Sequence, residues 1–177
     1  MKLIILDRDG VINQDSDSYI RSPEEWVPLP ASLAAIALLA RAGYRIGVAT
    51  NQSGIARGLF DRQALDLMHD KMRNLLRQRG GRIDYLTFCP HGPEEGCGCR
   101  KPQPGMLLEI CRHFATPPGE TTMVGDSLTD YQAATRAGMR FALVLTGKGR
   151  RTLEKGKLPS SVAVHSNLHE FVKNLLQ

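Results

Sequence analysis

Leu3-Ile4-Ile5-Leu6-Asp7-Arg8-Asp9-Gly10 decides how the rest of this chain reads. Four apolar residues run without interruption and stop at charges, the pattern of a short strand buried on both faces of a parallel sheet. On extended backbone, residues i and i+2 point to one side, so Asp7 and Asp9 face a common crevice while Arg8 turns away. Gly10 lets the chain turn sharply after them.

Working outward, Leu33, Ile36, Ala37 and Ala40 share one helical stripe, which marks a helix from about Ser32 to Arg41 with Gly43 as its stop. A second strand runs from Tyr44 to Thr50. Asp61 caps a helix carrying Leu65, Met68, Met72, Leu75 and Leu76, ended by Gly80-Gly81. Strands at 84–88, 121–124, 141–145 and 162–164 alternate with helices at 104–114, 128–137 and 167–176. Alternation of this kind predicts an α/β fold, a Rossmann-like parallel sheet with helices on both faces. Four stretches read as irregular: 13–30, 51–58, 89–103 and 146–161. The first three follow strands directly, and the C-terminal ends of strands are where open α/β sheets build sites.

The 177 residues fit a single domain, 1–177, and a composition 42% hydrophobic and 23% charged excludes disordered, collagen-like and coiled-coil classes. The longest apolar run, Leu33 to Ala40, is eight residues against the ~20 of a membrane span. Four apolar residues at the start are too few for a signal peptide, so the expected address is the cytoplasm, where structural disulfides are rare and clustered cysteines point to metal. The net charge of +5 comes from scattered basic residues, which crowd only in Lys148-Gly149-Arg150-Arg151 through Lys157 with few aromatics to stack bases. An anionic small molecule fits better than nucleic acid or a membrane.

Val124-Gly125-Asp126 ends another buried strand and brings a third carboxylate to the sheet edge that holds Asp7 and Asp9. Crowded carboxylates repel and ask for a cation, and oxygen donors suit Mg²⁺, which usually binds together with phosphate. Thr50-Asn51 adds a hydroxyl and an amide, and Arg100-Lys101 adds two cations. These are the parts of phosphoryl transfer, where catalysis is mainly positioning and charge neutralisation.

Asp7-x-Asp9-Gly10, Thr50, Lys101 and Gly125-Asp126-x-x-x-Asp130, in this order at strand ends, resemble the four motifs of the haloacid dehalogenase superfamily of phosphohydrolases. The resemblance implies that Asp7 is the nucleophile, Asp9 the general acid and base, Thr50 the phosphoryl binder and Lys101 the charge that steadies both. It places Mg²⁺ on Asp7, the Asp9 carbonyl and Asp126, with Asp130 supporting. Thr50 through Gly58, Cys89-Pro90-His91, Cys97-x-Cys99-Arg100-Lys101-Pro102 and Pro104 through Leu107 are more narrowly similar to the family of D-glycero-D-manno-heptose-1,7-bisphosphate 7-phosphatases, and share much with histidinol-phosphate phosphatases. That family implies a sugar bisphosphate substrate and a place in lipopolysaccharide core precursor synthesis. Val11 and Ser127 depart from its pattern: close relatives carry Lys at position 127, so one substrate-facing charge is missing here.

Cys89-x-His91-x5-Cys97-x-Cys99 offers three thiolates and an imidazole, a closed tetrahedral Zn²⁺ set with no open position, so the zinc is expected to be structural. Pro90, Gly92, Pro93, Gly96 and Gly98 forbid a regular element there, and the ion would staple the loop and fix Arg100 and Lys101. Cys111 reads as a small buried hydrophobe, and His69, His113, His165 and His169 as surface or packing residues. Core elements fill the stretches between Asp7, Thr50 and Lys101, which leaves no room for a separate cap domain. The site is expected to be open, within a monomer, with Asp15, Tyr19, Asn51, Gln52, Ser53, Arg57, Arg100 and Ser127 as substrate contacts; Arg57 or Arg100 would read a second phosphate. Histidinol phosphate would instead need carboxylates for its amine, and a DNA 3'-phosphatase is the rival from another class.

Overall fold

A computed structural model describes residues 2–177. Its six strands are all parallel, in the order β3-β2-β1-β4-β5-β6: β1 Leu3–Leu6, β2 Arg45–Asn51, β3 Tyr85–Cys89, β4 Thr122–Gly125, β5 Arg140–Val144 and β6 Ala163–His165. Strand side chains alternate between faces, so β1 sends Ile4 and Leu6 one way and Leu3 and Ile5 the other. Ile4 and Leu6 join Ile46, Val48, Trp26, Leu33 and Ile36 in one core layer, beneath α1 (Pro30–Arg41), α2 (Arg62–Gln78) and α6 (Leu168–Leu175). Leu3 and Ile5 join Met106, Leu107, Ile110 and Met123 in the other, beneath α3 (Gly105–His113) and α4 (Leu128–Ala137). Two apolar layers explain why β1 has no polar residue: neither of its faces meets water.

Helix α1 begins at Pro30, two residues before the apolar stripe implied, because a proline in the first helical turn fixes φ and needs no donor. Asp61 caps α2 as expected, accepting from the Ala64 amide at 2.8 Å. Two expectations need correction. The stretch 146–161 contains a sixth helix, α5 (Gly149–Glu154), whose one large apolar side chain, Leu153, is exposed and gives no stripe to read. The Cys-rich loop is not wholly irregular either, since Pro93–Glu95 forms one 3₁₀ turn. No helix among the described residues is long and apolar enough to cross a membrane.

Candidate active site

Strands β2, β1 and β4 are neighbours in the sheet, so their C-terminal ends deliver Thr50, Asp7 and Asp126 to one crevice. The Asp7 amide still donates to the Val124 carbonyl at 3.0 Å, continuing the ladder one residue beyond β1 and fixing the direction of the carboxylate. Gly10, at φ +85°, brings the chain back against Asp126; a Cβ there, or at Gly147, would overlap the Asp126 carboxylate. The Lys148 amide donates to Asp126 Oδ2 at 2.8 Å and the Thr152 hydroxyl to its carbonyl at 2.7 Å, so α5 and the loop before it hold this acid in place.

Lys101 Nζ lies 2.9 Å from Asp7 Oδ1, 2.7 Å from Asp130 Oδ1 and 2.9 Å from the Ala49 carbonyl. Burial works against its charge, but Asp130 and Asp7 outweigh burial and its pKa rises. Asp130 also accepts from the Asp126 and Ser127 amides and the Ser127 hydroxyl, at 3.2, 3.1 and 2.8 Å, so Ser127 spends its side chain capping α4. Asp7, Asp126 and Asp130 place carboxylate oxygens within 4.8 Å of one another. Burial and the Asp130 charge push Asp7 up to about 7 despite Lys101, and burial with Asp7 and Asp130 raises Asp126 well above the carboxylate range. Three oxygen donors this close, uncompensated by one lysine, fit a hard divalent cation.

Asp9 is the exception among the acids. Burial would raise it, yet the Arg8 charge and hydrogen bonds from Asn13, Arg8 and Gln52 leave its pKa lowered. Arg8 does turn from the crevice, but into the core: it is fully buried, with Nη2 2.8 Å from Asp9 and Nη1 3.1 Å from His69 Nε2. His69, expected at the surface or in packing, is therefore a buried partner, pushed down to about 3 by burial and Arg8 and so neutral. Gln52 bridges Asp9 at 3.1 Å and the Thr50 hydroxyl at 2.9 Å.

The Cys-rich loop brings its four donors together. Cys89 Sγ lies 3.1 Å from Cys99 and 3.6 Å from Cys97, and His91 Nδ1 lies 3.4 and 3.3 Å from Cys89 and Cys99. A tetrahedral ion at about 2.3 Å from sulfur has ligand–ligand edges of about 3.8 Å, so the donor set fits Zn²⁺ after a slight expansion. Asn51 joins this loop to the acids: its side-chain amide donates to the Lys101 carbonyl and accepts from the Lys101 amide, both at 3.0 Å.

A cleft of about 310 Å³ opens over these groups. Asp15, Tyr19, Asn51, Gln52, Ser53, Arg100 and Ser127 all line it, together with the acids. Arg57 does not line the cleft; its guanidinium lies 5.8 Å over the Tyr19 ring. Lys148 does line it, and the sequence reading passed it over by grouping it with a basic run. The signal was present, because Thr146-Gly147-Lys148 follows β5 as directly as the other site segments follow their strands.

Sheet order, acid cluster and buried lysine define a hydrolase of the haloacid dehalogenase type, and residues 98–171 match the family described as HAD-hydrolase-like. Full-length similarity is more specific. The D-glycero-beta-D-manno-heptose-1,7-bisphosphate 7-phosphatase of Bordetella bronchiseptica is 53% identical over 100% of this chain and 99% of its own, and that of Pseudomonas putida 51% identical over 99% and 100%. The crystal structure of the B. bronchiseptica enzyme complexed with magnesium and phosphate superposes with a TM-score of 0.97, covering 100% of this chain and 99% of that one. The chain belongs to the D-glycero-beta-D-manno-heptose-1,7-bisphosphate 7-phosphatase family.

Proposed function

We propose that this chain removes the 7-phosphate of D-glycero-β-D-manno-heptose 1,7-bisphosphate through an aspartyl-phosphate on Asp7. The observation that carries the reading is the Lys101 ammonium 2.9 Å from Asp7, in a chain whose relatives of that name match it end to end. Asp7 Oδ attacks phosphorus as the ester oxygen leaves, and Asp9 delivers a proton to that oxygen; Arg8, Asn13 and Gln52 keep Asp9 a carboxylate before substrate binds, so it takes that proton up only when the phosphate dianion binds beside it. The Asp9 carboxylate then takes a proton from water, whose oxygen attacks the phosphorus and frees Asp7 and inorganic phosphate. Thr50 and Lys101 hold the phosphoryl oxygens throughout.

Asp7, Asp126 and the Asp9 carbonyl would hold Mg²⁺, with Asp130 supporting through Lys101 and the Asp126 amide. The ion would supply neutralisation of the phosphoryl charge. Cys89, His91, Cys97 and Cys99 would hold a structural Zn²⁺. The site residues all come from one chain, which supports a single-domain monomer acting on small metabolites; the cytoplasm is the address proposed for it. Histidinol phosphate would need a carboxylate for its amine; the full-length relatives, named for the heptose bisphosphate, support the sugar reading over it. ³¹P NMR of the bisphosphate product tests the reading: loss of the 7-phosphate with the 1-phosphate intact supports it, and 1-phosphate release overturns it.

A further inference from the structure

We propose that Lys148 is the cation that reads the phosphate the enzyme leaves in place, with Asp15 as its counter-ion before substrate arrives; this rests on the bisphosphate reading above. Three cations line the cleft among the described residues, and each is held differently. Lys101 is buried between Asp7, Asp130 and the Ala49 carbonyl at the reacting centre. Arg100 donates to the His91 carbonyl at 3.2 Å, which ties its guanidinium to the Cys-rich loop. Lys148 is different. Its side chain is 46% exposed and its partner, Asp15 Oδ2, lies 3.4 Å away, beyond the N–H···O range of about 2.7–3.2 Å. With Lys148 half in solvent and the contact this long, a phosphate can compete with the Asp15 carboxylate for it.

Its backbone, by contrast, is fixed. The Lys148 amide is bonded to Asp126, the Gly149 amide to the Thr146 carbonyl at 2.9 Å, and Thr152 anchors the following helix to Asp126. The side chain therefore starts beside the acids and leans along the cleft wall toward Asp15. A sugar whose reacting phosphoryl sits against Asp7 extends along the same wall, and brings its second phosphate within reach of Lys148. Ser127 supplies no charge there, because its hydroxyl is committed to Asp130. Arg57 is outside the cleft lining, 5.8 Å over the Tyr19 ring. When phosphate takes Lys148, Asp15 is freed to accept from sugar hydroxyls.

The test uses the enzyme loaded with Mg²⁺ and Zn²⁺, and kcat/KM for heptose 1,7-bisphosphate and for heptose 7-phosphate. Lys148→Gln is expected to lower the bisphosphate-to-monophosphate ratio roughly ten- to a hundredfold, the loss of one charge-assisted contact, mainly through KM. Lys148→Arg, which keeps the charge, is expected to retain most of the ratio. An equal loss on both substrates would place Lys148 at the reacting phosphoryl and overturn the proposal, as would an unchanged ratio. A second measurement needs no variant: in wild-type protein, heptose 1-phosphate slows acetylation of Lys148 by an N-hydroxysuccinimide ester, read by mass spectrometry, and an unchanged rate counts against the proposal. Failure of the underlying reading looks different, since the wild-type enzyme itself would then release the 1-phosphate or show no preference for the bisphosphate.

Discussion

Asp7, Asp126 and Asp130 come from two strand ends and a helix far apart in the chain, whereas Cys89, His91, Cys97 and Cys99 come from eleven consecutive residues with one 3₁₀ turn among them. The acids stand on a hydrogen-bonded sheet, locked by Lys101 and by the packing of Gly10 and Gly147. The sheet sets their geometry, and the cost is electrostatic: Asp7 and Asp126 are buried with raised pKa values. Cys89 is buried at the end of β3, but His91, Cys97 and Cys99 stand on a loop with almost no regular backbone, which a bound ion would hold together. Both donor sets lie together; one is held by the sheet, and the other stands mostly on loop that an ion would staple. Lys101 stands where the two meet, two residues after Cys99 and in contact with Asp7.

The largest effect expected from this contrast is on the acid side. Asp7→Asn removes the nucleophile while keeping its shape, so kcat falls by about three orders of magnitude or more while Tm moves by a few degrees at most. Retention of a tenth of wild-type turnover would sink the covalent mechanism. Next is the loop. Cys97→Ser, or stripping one equivalent of Zn²⁺ per chain, is expected to lower Tm by about 10 °C, the shift that about 3 kcal/mol produces in a chain of this size, and to weaken catalysis through Lys101. Elemental analysis together with thermal melts checks both halves; protein purified without chelator that contains no zinc would break the comparison.

Removal of Mg²⁺ should act on activity and on pH dependence. EDTA abolishes turnover, Mg²⁺ restores it, and Zn²⁺ alone does not. Asp7 keeps its proton in the folded metal-free chain up to about pH 7, whereas the unfolded chain loses it near the ordinary carboxyl value of 3.8. Metal-free stability therefore falls as pH rises from about 4 to 7 on account of Asp7, and Asp126 adds in the same direction. His69 opposes this, because its pKa is pushed down to about 3 and the folded chain takes up no proton as pH falls below 6.5. The difference between Tm–pH curves with and without Mg²⁺ cancels His69, and should widen as pH rises through that window. A constant difference would show that the carboxylates do not hold the ion. Asn51→Ala cuts the clamp between the clusters, and is expected to lower kcat roughly tenfold while zinc content stays at one equivalent, since two hydrogen bonds are lost at Lys101. Loss of zinc in this variant would mean that the loop relies on β2 after all.

By itself the sequence determined the alternation of strands and helices, because buried parallel strands read as apolar runs and their helices as stripes, and both signals are local. It also determined the donor types, since Asp7-Arg8-Asp9-Gly10 and the Cys₃His spacing each lie within a few residues. Helix α5 escaped because it packs through backbone and Thr152 rather than through an apolar stripe. The burial of Arg8 against His69, the withdrawal of Arg57 from the cleft and the entry of Lys148 into it were decided only by the tertiary structure. Whether a charged side chain faces core, cleft or solvent depends on which partners the sheet order brings beside it. Arg8 and His69 lie sixty-one positions apart, and no local pattern encodes a meeting at that distance.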